Sequence, residues 1–359
     1  IAWWAGGGLA ILPPGAQVKR YLDGASGEHE ISEFYDFALN PQSEDPPVGY
    51  VYSANNQPLG SPADPYPGYY ANEDRAKRIV ALLSARDDWT PEAVQEMALD
   101  DVSPVKPGIL TMLLGQLNEP PELTPLEQKV YEELLGWDGE HSLKAVAPGV
   151  YYTWVRRVLE GAMMDELGET DFEAVRTTFL IKRSTPKLFA LEKSPWWDNI
   201  KTQDQVESRQ QIIQEAFTRT CQDIKALYGN NPERWTWDRF HTLEHPHILG
   251  RQKPLDKIFN VGPAPVSGGN EVINNTQFSL SKDPSYPSVH GPSRRTVLSL
   301  GPTGVKGHTI LPSGNSGHAM SPYYDDQFDL YIKGAYREQV MERAALEANH
   351  SHQRRLLPE

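Results

Sequence analysis

The most informative part of this sequence is the stretch Val48-Gly-Tyr-Val-Tyr-Ser-Ala-Asn-Asn-Gln-Pro58, followed by Asn72-Glu-Asp-Arg-Ala-Lys-Arg-Ile79. An apolar run rich in strand-forming residues ends abruptly in Ser-Ala-Asn-Asn, and a helix that carries arginines begins further along. An asparagine at the end of a strand holds a neutral amide donor at a fixed point. Such a donor suits an oxyanion hole, where it must face the charge of a tetrahedral intermediate.

The composition indicates a folded chain that does not favour binding to polyanions. It has 359 residues, of which 39% are hydrophobic, with nine Trp and sixteen Tyr, so it can bury a sizeable core. The net charge of −14 disfavours nucleic acid and anionic membrane surfaces. No apolar run approaches the length of a membrane span. The single cysteine, Cys221, excludes an intrachain disulfide.

Local patterns predict strands at both ends of the chain and helices between them. The predicted strands are Ile1–Trp4, Leu9–Leu12, Tyr50–Ser53 and Arg295–Leu300. The predicted helices cover Asp74–Arg86, begin at Thr90-Pro and Thr124-Pro, cover Gln205–Tyr228, and cover Asp325–Leu346 with an interruption at Lys333-Gly334.

This order predicts an α+β layered fold with a large helical insertion. Four regions follow from the changes in composition. They are a strand-rich part of the core at 1–71, a mainly helical region at 72–250, a second strand-rich part at 251–322, and a C-terminal helix and tail at 323–359.

Five blocks of sequence, taken together and in order, resemble one enzyme family. They are Gly49-Tyr-Val-Tyr-Ser-Ala-Asn-Asn56, Tyr69-Tyr-Ala-Asn-Glu-Asp-Arg-Ala-Lys-Arg-Ile79, Trp235-Thr-Trp-Asp-Arg-Phe-His-Thr-Leu-Glu-His-Pro-His247, Gly268-Gly-Asn-Glu-Val-Ile-Asn-Asn275 with Gly291-Pro-Ser-Arg-Arg295, and Leu311-Pro-Ser-Gly-Asn-Ser-Gly317 with Tyr323-Tyr-Asp-Asp-Gln327. The family is that of the penicillin acylases, which are N-terminal-nucleophile amidohydrolases. Asp238 departs from its pattern, because glycine is common at that position.

The resemblance implies an αββα sandwich, of which this chain forms part, and a site for amide hydrolysis. In this family an N-terminal serine attacks the amide carbonyl, and its own α-amino group is the general base, acting through water. Asn55 matches the oxyanion-hole asparagine, and Arg75 matches the arginine that orders the site. Without the resemblance, Asn55 would be interpreted as a turn amide and Arg75 as a helix surface charge.

The resemblance also implies a structural calcium ion, and no cofactor for catalysis. Asp64 aligns with a calcium-binding aspartate of some family members after a two-residue gap. Calcium takes about six to eight oxygen ligands, and the other family ligands lie outside this chain.

The clearest departure from the family concerns the nucleophile. Ile1 cannot be one, so we expect this to be the C-terminal part of a β chain that acts with an α chain and the N-terminal part of its own β chain. We expect the piece alone to be inactive and unstable, because its sheets would expose unpaired edges. The resemblance implies an N-acyl small-molecule substrate and a periplasmic or secreted protein.

Several local signals favour structure over chemistry. His241, His245 and His247 have a spacing that suggests zinc, but Pro246 interrupts it and core hydrogen bonding explains the set better. Cys221 lies on an apolar helical stripe and is expected to be a buried thiol. Gly314-Asn-Ser-Gly317 is predicted to be a turn, and Asp325-Asp326 to be first-turn helix residues.

Two other hypotheses remain open at this stage. The helical middle could be a non-catalytic binding module for small amphiphiles or for a partner protein. The paired tryptophans of the chain would suit apolar ligands, although a buried core also explains them; they are Trp3, Trp4, Trp196, Trp197, Trp235 and Trp237. Alternatively, the whole protein could be a paralogue that keeps the fold without the nucleophile.

Overall fold

A computed structural model describes residues 1–16, 20–60, 66–117, 123–302, 304–350 and 355–357. The chain forms two compact units, Ile1–Asp88 and Trp89–Glu359, which are described separately below. Among the described residues, no helix combines the length and the apolar character needed to cross a membrane.

Within its described residues, the first unit contains a small sheet, a 3-10 turn and one helix. Strands β1 (Ala2–Trp4) and β2 (Gln42–Glu44) pair antiparallel, with Trp3 opposite Ser43. The 3-10 turn spans Phe37–Leu39, and helix α1 spans Asp74–Ser84. The predicted strand at Ile1–Trp4 and the predicted helix at Asp74–Arg86 are therefore confirmed, with the helix two residues shorter.

Two predicted strands in the first unit are wrong. Leu9–Leu12 contributes only an isolated bridge, between Ala10 and Phe34. Tyr50–Ser53 has no regular secondary structure and lies outside any described sheet, and the Tyr50 hydroxyl bonds instead to Ser84 Oγ at 2.9 Å. Both segments have strand-like side chains, but no described neighbour gives them a ladder of backbone hydrogen bonds.

The first part of the second unit is helical. Its helices are α2 (Pro91–Ala98), α3 (Lys106–Leu114), α4 (Pro125–Leu135), α5 (Ala147–Val175, kinked at Gly168), α6 (Phe179–Ala190), α7 (Arg209–Tyr228) and α8 (Trp237–Phe240). Thr90 and Thr124 cap their helices as predicted, each accepting a backbone N–H three residues on. Thr124 completes a capping box with Glu127.

Helices α5 and α7 form the centre of the larger core. Trp154 is fully buried against Phe217, with ring centroids 4.8 Å apart, and its indole N–H donates to Ile213 O at 3.0 Å. Helix α7 begins four residues later than Gln205, because Ser208 caps its first turn. Val206 therefore lies outside the helix and is exposed, contrary to the predicted stripe.

The C-terminal part of the second unit carries the strands. β3 (Thr242–His245) pairs with β4 (Val261–Pro265), and a short helix α9 (Asp256–Phe259) lies between them in sequence. β5 (Arg295–Gly301), β6 (Gly304–Ile310) and β7 (Arg337–Gln339) form an antiparallel sheet in that order. The strand predicted at Arg295–Leu300 is confirmed.

The single last helix predicted over Asp325–Leu346 is wrong. The chain forms α10 (Phe328–Ile332), then strand β7, then α11 (Arg343–Asn349). Gly334 has a φ of 73°, a left-handed conformation that ends α10, and the Ala335 N–H bonds back to Leu330 O at 2.9 Å. Pairing with β6 then extends the next segment as a strand.

A carboxyl pair lies where the 198–208 segment contacts α5. Asp165 Oδ2 accepts the Ile200 N–H at 2.8 Å, and Asp165 hydrogen-bonds the neighbouring Glu166 carboxyl group. Glu166 is exposed as a whole residue, but partial burial of its carboxyl group, the Asp165 bond and the negative charges of Asp165 and Asp198 raise its pKa to about 7. The Glu166 carboxyl group is therefore still partly protonated near neutral pH.

Glu166→Gln is expected to raise the melting temperature at pH 8. The folded pKa of Glu166 lies above its ordinary value of 4.5, so stability is lost as the pH rises from about 4.5 to about 7. The neutral amide removes that loss. Thermal melts of the whole protein at pH 8 and pH 4.5 measure the difference, with Glu192→Gln, an exposed glutamate elsewhere, as control. An equal effect at both pH values would contradict the assignment.

Candidate functional site

Helix α1 holds Arg75 at its first turn, directly after the buried Asp74. The half-buried guanidinium of Arg75 reaches back to the stretch Ser53-Ala-Asn-Asn56. Its Nη2 donates to the Ala54 carbonyl oxygen at 2.7 Å and to Asn55 Oδ1 at 2.9 Å. The structure therefore brings together the two residues that the sequence nominated, across twenty positions of chain.

The Asn55 side chain is fixed at its oxygen and open at its nitrogen. Arg75 occupies Oδ1, while no hydrogen bond to Nδ2 exists within the described part of the chain. Asn55 is exposed, so the amide NH₂ is its accessible end. A guanidinium on the oxygen also polarises the amide, which strengthens its N–H groups as donors.

The backbone around Asn55 is held in an unusual conformation. Its φ is 60°, in the left-handed region that asparagine tolerates better than most residues. The Ala71 N–H donates to the Asn55 carbonyl at 2.7 Å. Tyr70, next to Ala71, stays a neutral phenol, because burial first and the nearby Tyr66 second raise its pKa.

This arrangement can do one kind of chemistry well. An exposed amide N–H of fixed direction can donate to an oxygen on which negative charge develops, without reorganising as the charge appears. The group cannot itself be a nucleophile or a base, because an amide nitrogen does not titrate at neutral pH.

The predicted calcium ligand Asp64 lies outside the described residues. Among the residues that the structure does describe, there is no group of three or more His, Cys, Asp or Glu side chains that could hold a metal ion.

Two of the three histidines considered for zinc make hydrogen bonds with their surroundings, whereas the buried Nε2 of His245 has no hydrogen-bond partner among the described residues. His241 follows α8, and its ring nitrogens bond to Tyr286 O at 2.6 Å and to Thr276 Oγ1 at 2.8 Å. Burial lowers its pKa to about 4, so the ring is neutral. His245 lies on β3, and His247 Nδ1 accepts the Leu249 N–H at 3.1 Å. His241 and His245 share no helix, and core hydrogen bonding, the alternative to zinc, describes His241.

Cys221 is the buried thiol that its helical stripe predicted. It is 2% exposed on α7, and burial followed by the charge of Glu127 raises its pKa to about 12. We expect no reaction with iodoacetamide at pH 8 in the folded protein and one labelled cysteine after denaturation, as measured by intact mass. Rapid labelling of the folded protein would contradict this burial.

The paired tryptophans of the helical region are mainly core. Trp235 and Trp237 are fully buried, and their indole N–H groups donate to the carbonyls of Gly229 and Gly268. A cleft of about 650 Å³ does open beside α4, but carboxylates dominate its wall; these are Glu132, Glu133, Asp138, Glu140 and Glu233. Such a surface does not suit an apolar ligand.

Two tail motifs differ in outcome. Gly314–Gly317 is a loop with bends at Asn315 and Gly317 and not a nucleophile elbow, and in it the Ser316 N–H bonds to Tyr323 O at 3.0 Å while Ser316 Oγ accepts the His318 N–H. Asp325 and Asp326 precede α10 instead of forming its first turn, so that prediction is wrong. Asp326 accepts a hydrogen bond from Arg337 at 3.0 Å.

Sequence reasoning missed three features of the Asn55 region. It did not anticipate the left-handed backbone of Asn55, the Arg75 bond to the Ala54 carbonyl, or the bond from the Ala54 N–H to Asn56 Oδ1 at 3.3 Å. The doubled asparagine was the available signal, because asparagine both tolerates positive φ and bonds to nearby backbone.

Comparisons with known proteins agree on one family. The model of the family described as Penicillin amidase matches residues 1–348. The chain is 22% identical over 351 residues to the acyl-homoserine lactone acylase QuiP of Pseudomonas aeruginosa, covering 87% of this chain and 40% of that protein. It is 24% identical over 311 residues to the penicillin acylase 2 proenzyme of Pseudomonas sp. strain SE83, covering 85% of this chain and 38% of that protein.

A solved structure shares the fold. The thermostable penicillin G acylase from Alcaligenes faecalis superposes with a TM-score of 0.60 at 16% identity, over 100% of this chain and 65% of that one. This likeness confirms the α+β, N-terminal-nucleophile hydrolase fold class expected from the sequence. The chain spans about 40% of the length of the curated relatives that it matches.

Proposed function

The chain belongs to the penicillin amidase family, and from that premise we propose that it is part of an amidohydrolase that cleaves N-acyl compounds. In this proposal it supplies the oxyanion donor Asn55 and the arginine Arg75 that holds it. The nucleophile, an N-terminal serine, lies outside these 359 residues.

One observation carries the proposal. Arg75 Nη2 takes the oxygen end of the Asn55 amide at 2.9 Å, which leaves the exposed nitrogen end as the donor. An amide that served only to cap a turn or a strand end would form its hydrogen bonds with neighbouring backbone groups. Here the side chain is restrained by a charged residue from another element, which is how a preorganised donor is built.

The proposed reaction has two stages. The serine hydroxyl attacks the amide carbonyl, its proton passes through water to the α-amino group, and the carbonyl oxygen becomes an oxyanion that Asn55 Nδ2–H stabilises. Collapse of this intermediate breaks the C–N bond, and the amine leaves with the transferred proton. Water then attacks the acyl-enzyme by the same route and releases the acid.

The proposed substrate is an amide of a hydrophobic acid. One relative is described as acting on acyl-homoserine lactones and another as a penicillin acylase, so the candidate leaving amines are a homoserine lactone and a β-lactam nucleus. The proposed partners are an α chain and the N-terminal part of the β chain. One relative is described as a proenzyme, which supports processing.

Three lesser proposals accompany this function. The 359-residue piece alone is inactive, because the donor has no nucleophile to act with. It is also unstable, because its strand edges have no partner strands. The whole protein is periplasmic or secreted. Asp64 is one ligand of a structural calcium ion whose other ligands come from outside this chain, and catalysis needs no cofactor.

The testing experiment combines processing with activity. Intact mass and N-terminal sequencing of the natural protein should give two chains, the larger beginning with Ser, Thr or Cys and ending in this sequence. The purified protein should then release free acid from a panel of N-acyl-homoserine lactones of different chain length and from penicillin G, measured by liquid chromatography and mass spectrometry.

The outcomes separate the alternatives. Hydrolysis of one substrate class identifies the leaving amine. A processed protein that hydrolyses nothing on the panel would overturn the stated substrate class. An unprocessed protein with no candidate nucleophile would favour the inactive paralogue or the binding module and would remove the proposed function.

A further inference from the structure

We propose that Asn56 is a positioning residue for the oxyanion donor, acting through the Ala54 peptide. This inference rests on the proposed function and adds to it a residue that does not touch the substrate. It comes from four hydrogen bonds that residues 54 and 55 make with Asn56, Ala71 and Arg75.

Ala54 is held at both of its backbone polar groups. Its N–H donates to Asn56 Oδ1 at 3.3 Å, and its carbonyl accepts from Arg75 Nη2 at 2.7 Å. Its side chain is buried, with 2% exposure. The peptide that leads into Asn55 therefore has little freedom to rotate, because one bond restrains each end of the residue before it.

Asn56 is itself oriented for this role. Its Nδ2 donates to the Gln57 carbonyl at 3.3 Å, so its amide faces the backbone on both sides, and the side chain is half-buried. Asn55 Oδ1 contacts Arg75, whereas Asn56 Oδ1 contacts Ala54. The adjacent asparagines thus have different tasks: one presents a donor, and the other holds the backbone that carries it.

The left-handed backbone of Asn55 makes this restraint necessary. A non-glycine residue at a φ of 60° lies in a sparsely populated region, so its conformation persists only where surrounding contacts hold it. The Ala71 N–H restrains the far side of Asn55 at 2.7 Å, and Asn56 restrains the near side through Ala54. Loss of the near restraint lets the Asn55 amide sample directions that do not face the oxyanion.

The experiment compares two substitutions of Asn56 in the whole processed enzyme. Asn56→Leu keeps the approximate volume and removes the acceptor, and we expect kcat to fall about tenfold with KM unchanged, the size of one positioning hydrogen bond. Asn56→Asp keeps an oxygen for the Ala54 N–H and is expected to stay within about threefold of the parent. If Asn56→Asp falls as far as Asn56→Leu, the acceptor is not what matters and the inference is overturned.

A double substitution distinguishes positioning from general structure. If Asn56 acts through Asn55, adding Asn56→Leu to Asn55→Ala gives no further loss of kcat. A further tenfold loss would overturn the inference, since it would mean that Asn56 acts independently of the donor. The melting temperature of each variant shows whether a fall in kcat comes from unfolding.

This test can fail without the proposed function failing. If Asn55→Ala lowers kcat and Asn56→Leu does not, Asn55 remains the donor and the inference about Asn56 is wrong. If Asn55→Ala leaves kcat unchanged, the donor assignment itself is wrong, and the inference about Asn56 is lost with it.

Discussion

Asn55→Asp in the whole processed enzyme is expected to lower kcat by about 10²- to 10³-fold with little change in KM. Aspartate has the shape of asparagine and keeps an oxygen for Arg75 Nη2, but it has no N–H to offer an oxyanion. Losing one such donor removes about 2.7–4 kcal/mol of transition-state stabilisation. Because the donor acts on charge that develops only after attack, the loss should fall on kcat. Steady-state kinetics with the best acyl substrate measures it.

Two further variants sharpen this result. Asn55→Ala removes the donor and the Arg75 contact together without placing a carboxylate oxygen against the oxyanion, so it should also lower kcat by about 10²- to 10³-fold. Asn349→Asp makes the same chemical change on an exposed residue at the end of α11 and should leave kcat unchanged. An Asn55→Asp enzyme with parental kcat would mean that another group stabilises the oxyanion.

Helix starts could be predicted from sequence because their signals are local. Thr90 and Thr124, each followed by proline, satisfy their caps within three residues. The start of α1 came instead from the apolar periodicity of Asp74–Arg86, because its N-cap residue Glu73 makes no side-chain cap hydrogen bond.

The wrong predictions concern segments whose structure depends on pairing with another part of the chain. Tyr50–Ser53 has the side chains of a strand, but strand pairing depends on neighbours that a single segment does not reveal. The segment after α10 becomes β7 because β6 is available to pair with it, although its own sequence continues a helical pattern. Gly334 marked the break, yet its effect depended on tertiary pairing.

The sequence predicted which residues belong to the candidate site, and their roles stay a prediction, whereas it did not predict their geometry. Asn55 and Arg75 were nominated by the order of sequence blocks, and the structure brings their side chains to 2.9 Å. The hydrogen bonds that Arg75 and Asn56 make with the two backbone polar groups of Ala54 depend on the left-handed conformation of Asn55, which is a property of the folded backbone. Doubled asparagines permit such a turn but do not specify it.

Gly268→Ala is expected to destabilise the second unit by about 2–5 kcal/mol. Gly268 has a φ of 91°, which costs a residue with a Cβ about 1–2 kcal/mol. A Cβ there would also lie 2.1 Å from the Asn274 carbonyl oxygen, so the backbone must shift at an overpacking cost of about 1–3 kcal/mol. The shift would disturb the bonds from the Gly268 N–H to His141 O and from Trp237 Nε1 to Gly268 O.

Two glycines separate the contributions to this effect. Gly27 has a φ of 71° with open space around its Cβ direction, so Gly27→Ala tests backbone conformation alone and should cost about 1–2 kcal/mol. Gly136 ends α4 at a φ of −88° with open space, so Gly136→Ala should change stability by less than about 0.5 kcal/mol. Calorimetry of the whole protein at one scan rate should show a Tm fall on the order of 10 °C for Gly268→Ala alone. If Gly268→Ala and Gly27→Ala lowered the Tm equally, the predicted clash with the Asn274 carbonyl oxygen would contribute nothing. The Gly268-Gly-Asn loop would then be packed less tightly than the 2.1 Å distance from the added Cβ to that oxygen indicates.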